Sequence, residues 1–90
     1  MSKVTDIILI TAIDDAPFEY PRLRAVDGFA GGSKAMQCDV YMAAVNYIDG
    51  GKGTLIELFT YHEWQEPECA MLMLKGETQE QFEIYKPNTL

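Results

Sequence analysis

The single histidine opens the run His62-Glu63-Trp64-Gln65-Glu66. Half of an HExxH zinc site has this spacing: two histidines one helical turn apart hold the metal, and the glutamate between them acts as base. Here Glu66 stands where the second histidine belongs. A catalytic zinc takes three protein ligands, so His62 is read as a structural, half-buried residue and no metal site is assigned. Nucleophilic catalysis needs a nucleophile beside an activating base, and no Ser-His-Asp spacing recommends itself. The chain reads as lacking a catalytic constellation and a cofactor, which favours a non-enzyme.

Two other groups could hold a small ligand. Gly31-Gly32-Ser33-Lys34 is a fragment of a phosphate-binding loop, where backbone N–H groups and a lysine cradle an anion. The full GxxxxGK[ST] pattern is missing, because the serine precedes the lysine. Asp14-Asp15 follows the first apolar run. Paired carboxylates at a strand end can bind Mg²⁺ or move a proton, although aspartates also simply begin turns. Together Asp14, Asp15, Gly31, Gly32, Ser33 and Lys34 form an alternative site for a phosphorylated metabolite or nucleotide.

The third group suits protein recognition. Glu57, Tyr61 and Trp64 fall on the outer side of a helix expected at about 54–64, and Glu63, Glu66 and Glu68 surround them. Aromatic residues with a charged rim are typical of binding hot spots. The competing arrangement folds Trp64 back over the core.

The elements that must carry these residues follow from the hydrophobic pattern. Asp6–Ile13 is β-branched and apolar on both faces, as suits a central strand. Pro17 and Pro21 then break regular structure. Residues 22–26 read as a short edge strand with Leu23 inward, and 29–34 as a turn. The stretch 34–49 is ambiguous. As a helix it aligns Met36, Val40, Ala43, Ala44 and Tyr47; as a strand over 38–48 it puts Val40, Met42, Ala44 and Ile48 on one face, with Tyr41, Ala43, Val45 and Tyr47 on the other. Its Val, Tyr and Ile content favours the strand. Thr54-Leu-Ile-Glu57 matches a capping box, which places the helix start there and Leu55, Leu58, Phe59 and His62 inward. The alternative makes Asp49–Gly53 a hairpin loop and 55–61 a strand. Pro67 opens a new element, Cys69–Leu74 is another strand apolar on both faces, and 81–86 alternates as a half-exposed final strand.

The expected fold is therefore one small α+β domain over residues 1–90, a mixed or antiparallel sheet of four to five strands with one main helix on one face. An all-β meander is the alternative. Three strands apolar on both faces ask for cover on both sides, and one short helix covers one. The second side is expected to take the 14–37 segment, a partner, or a second copy in a homodimer.

Composition narrows the functions. The 90 residues carry 14 acids against seven bases, a net charge of −7. Nucleic acid and anionic membrane call for clustered Lys and Arg, so neither is expected as a partner. A basic protein partner fits better. No apolar run approaches the ~20 residues of a membrane span, and the N-terminus lacks a signal-peptide pattern, which suggests a cytoplasmic location. Cys38 and Cys69 have no metal-ligand spacing and read as two small buried thiols. The function expected is a small acidic binding protein of the inhibitor, antidote or immunity, or phage anti-defence kind, acting by occupying another protein. The alternatives are the small-ligand binder and a structural homo-oligomeric subunit.

Overall fold

A computed structural model describes residues 4–20, 23–26, 30–31, 34–35, 38–45 and 51–87. Its centre is β1 (Thr5–Ala12), flanked by β5 (Cys38–Val45) and β6 (Met71–Gly76), both antiparallel to it. The edges are β2 (Arg24–Ala25) beside β5 and β7 (Glu83–Tyr85) beside β6. The order is β2-β5-β1-β6-β7, an open five-stranded antiparallel sheet. A separate hairpin pairs β3 (Ala30–Gly31) with β4 (Lys34–Ala35). Since β5 and β6 both oppose β1, they run parallel to each other, and parallel strands need a long crossover. Helix α1 (Gly51–Tyr61) and a 3-10 turn (Pro67–Cys69) supply it. The fold is a small α+β fold, and 55–61 is helical, which removes the all-β meander.

The register explains the core. Ile7 lies opposite Ala43 and Leu74, and Leu9 opposite Tyr41 and Leu72. Residues directly opposite share a face, so these side chains form one layer. Leu55, Phe59 and Trp64 close over it, with Val45 and Ala70. The strand assignment of the central stretch holds for Cys38–Val45, with Tyr41, Ala43 and Val45 inward; residues 46–48 lie outside the described residues. Leu23 packs against the core beside the edge strand, as its pattern suggested.

Several expectations need correction. The helix spans Gly51–Tyr61, so it begins three residues before Thr54 and ends three before Trp64. Thr54 therefore sits inside the helix and does not cap it. Leu55 and Phe59 point inward but Leu58 is exposed, because positions 55 and 59 are one turn apart and 58 is rotated off their stripe. Cys69 falls in the 3-10 turn, where Pro67 occupies the first turn and needs no N–H partner. The cysteines are free but not buried: Cys38 is half-buried and Cys69 exposed. Among the described residues no helix is long and apolar enough to cross a membrane.

Candidate functional site

The segment that follows β1 is fastened to the segment that follows α1. Asp14 turns the chain with φ 63°, a left-handed conformation that aspartate tolerates better than most residues. Its N–H donates to Asp39 Oδ2 at 3.0 Å. Asp15 is buried, and its two carboxylate oxygens accept from the N–H groups of Gln65 (3.1 Å) and Glu66 (3.0 Å). Next, His62 Nε2 lies 2.8 Å from the carbonyl oxygen of Ala16. A carbonyl only accepts, so Nε2 carries the proton in this contact. His62 is thereby the half-buried structural residue that the sequence suggested.

Aromatic packing completes the junction. Trp64 is only 8 % exposed, and its indole N–H donates to the Phe59 carbonyl at 2.9 Å. Its ring meets His62 edge-on at 4.5 Å and Phe59 at 5.6 Å between centroids. Phe18 lies 6.0 Å from His62 and 6.3 Å from Trp64. Such tilted and edge-to-face pairs are the favoured aromatic geometry. The outward-facing Trp64 is thus corrected to the folded-back arrangement. The physical reason is its position beyond the helix end, where a turn closed by Trp64 N–H to His62 carbonyl (3.0 Å) swings the indole inward.

Phe18, so held, is the shared wall of two shallow depressions. One, of about 320 Å³, is lined by Phe18, Thr54, Glu57, Leu58, Tyr61 and His62. The other, of about 480 Å³, is lined by Pro17, Phe18, Glu19, Tyr20, Leu23 and Tyr41. The two depressions adjoin at Phe18 and both carry aromatic side chains; the pair is the groove. The charged side chains in those linings are the acids Glu57 and Glu19. Tyr61 stands 73 % exposed at one end. Tyr41 sits at the other, its hydroxyl held above the usual tyrosine range by burial and, after that, by the Asp39 and Asp14 carboxylates.

The candidate residues distribute as follows. Glu57 and Tyr61 come together on the groove, whereas Glu63, Glu66 and Glu68 are exposed beyond the end of α1. Glu66, Glu68 and Cys69 bring ligand atoms within 4.8 Å of one another, all exposed. Of the alternative ligand site, Asp15 is buried and engaged in the turn, and Asp14 is exposed. Gly31 and Lys34 face each other across the β3–β4 hairpin, while Gly32 and Ser33 lie outside the described residues. The groove residues Phe18, Tyr20 and Tyr41 were not singled out from sequence. Phe18 and Tyr20 lie between two prolines without a strand or helix period, and only their aromatic bulk marked them.

No protein-family model matches the chain, and neither a curated protein nor a solved structure does.

Proposed function

We propose that the protein is a non-enzymatic binding module that works by occupying a basic partner protein in the cytoplasm. The observation that carries this reading is the groove around Phe18, with aromatic walls and Glu57 and Glu19 at its margins. Large, stiff aromatic side chains bury much area at small entropic cost, which is why they dominate hot spots. Acidic margins on a chain of net charge −7 favour a partner bearing Lys or Arg and speed its approach. Guanidinium and ammonium groups also gain from contact with aromatic faces. Small inhibitors, antidote or immunity proteins and phage anti-defence proteins act in this steric way, and the analogy is one of class alone.

The small-ligand alternative draws less support. Asp15 spends both carboxylate oxygens on the backbone of 65–66, so the aspartate pair does not act as one unit.

Capture of partners from the producing cell tests the proposal when wild type is run beside a Leu58→Ser/Tyr61→Ala double variant. A partner held by wild type and lost by the variant, at unchanged melting temperature, is the expected result. A partner retained equally by both places the binding surface elsewhere.

A further inference from the structure

The face of the sheet opposite α1 is apolar; among the described residues Met42, Ala44 and Ile84 are exposed there, and Ile8, Ile10, Val40, Met71 and Met73 are half-buried. Alternation along β1 and β5 sends Ile8, Ile10, Val40, Met42 and Ala44 to this side, and the register adds Met71 and Met73 from β6 with Ile84 from β7. Met42 is 47 % exposed and Ile84 60 %. Phe82 reaches over from the β6–β7 connection and, with Asp6, Ile8, Met42 and Ala44, lines a depression of about 360 Å³. Raised methionine and isoleucine side chains thus stand next to a hollow on one surface.

We propose that this face is the seat of a second copy of the chain, giving a two-fold dimer packed sheet on sheet. This goes beyond the groove reading, which concerns the opposite side of the sheet.

Three features favour a second copy. The first is size. Across the sheet the strands have 2, 8, 8, 6 and 3 residues; at a rise of ~3.4 Å per residue and a spacing of ~4.8 Å they give a planar footprint on the order of 400 Å². A standard interface removes about 800 Å² of accessible surface from each partner, and accessible area exceeds planar footprint once side chains protrude. Apolar patches of more than a few hundred Å² are rarely left in water. The second feature is charge. The molecule is strongly acidic, yet the charged residues that the register assigns to this face are Asp6, opposite Lys75, and Arg24, opposite Met42. These leave no acidic excess to repel an identical face, and a basic partner suited to the groove finds no counterpart here. The third is the shape of the edges. β2 has two residues and β7 three, too short to template pairing along the strands, so association takes the face. A two-fold axis brings the same patch to both copies, and the raised side chains of each lie near the hollow of the other.

Sedimentation equilibrium over a micromolar concentration series tests this, using wild type, Ile84→Glu and Met42→Ser. Wild type is expected at twice the chain's 10.1 kDa mass, and each variant at the chain mass with an unchanged far-ultraviolet spectrum. The substituted side chains are exposed, so the fold tolerates them, and the two variants sit on different strands. A wild-type mass of one chain throughout, variants that remain dimeric while folded, or a polydisperse series of higher masses would each overturn the proposal. None of these outcomes bears on the groove, whose residues lie on the other side.

Discussion

Asp15 and Tyr41 show how single residues position the groove. Buried Asp15 gathers the N–H groups of Gln65 and Glu66, and the same contacts keep Phe18 against His62 and Trp64. Removing the carboxylate strands two donors. Asp15→Ala is expected to lower unfolding free energy by about 2–4 kcal/mol, with Asp15→Asn intermediate because an amide oxygen still accepts; urea denaturation measures both. Tyr41 makes the opposite kind of statement. Its ionisation is disfavoured in the fold by burial and then by Asp39 and Asp14. The unfolded chain therefore loses this proton first as pH rises. The stabilisation is complete below the ordinary tyrosine value of 10.0 and is lost as pH climbs through the higher folded value. Melting temperature compared for wild type and Tyr41→Phe is expected to diverge only as pH rises past 10.0, with wild type falling more steeply. Identical alkaline profiles would mean that Tyr41 is not held in this environment. None of these residue roles was legible beforehand: Asp14-Asp15 looked like a turn or a ligand pair, and which aspartate turns inward depends on a contact 50 positions away in sequence.

At the scale of elements, the hydrophobic pattern served strands better than helix ends. Ile7 to Ile10 and Leu72 to Leu74 are apolar on both faces, which marked β1 and β6 as interior strands, and alternation over 38–45 gave the right faces to β5. The start of α1 misled because Thr54 and Glu57 satisfy a capping pattern while two of the three residues before them are glycines. Glycine is a poor helix former, yet burial of Leu55 and Phe59 beneath the crossover outweighs that local preference. Gly53 gives a direct check. A Cβ added there meets nothing within 4 Å, and the residue lies inside the helix. Gly53→Ala is expected to raise stability by about 0.5–1 kcal/mol. Were 49–53 a hairpin loop requiring glycine conformations, the same change would lower it, and thermal denaturation separates the two signs.

For the molecule as a whole, the sheet divides two surfaces of different character. The α1 side offers aromatic walls with Glu57 and Glu19 at the margin, and the far side offers aliphatic and methionine side chains with little charge. Composition showed the acidity, which is a sum over residues, and the strand pattern showed the need to cover two faces. It did not show where the groove lies, since Phe18, Tyr20 and Tyr41 become neighbours only once residues 14–20 are pinned near α1. If acidic margins steer a basic partner, Glu57→Lys slows association by about tenfold and flattens its dependence on salt, while dissociation changes little; stopped-flow mixing with the captured partner reads both.

The most direct measurement is capture of that partner on three baits side by side: wild type, Leu58→Ser/Tyr61→Ala and Ile84→Glu. The expected result is a partner retained by wild type and by Ile84→Glu, and lost by the groove variant while its melting temperature holds. Retention by the groove variant with loss by Ile84→Glu would contradict the groove reading, moving partner recognition to the far face of the sheet.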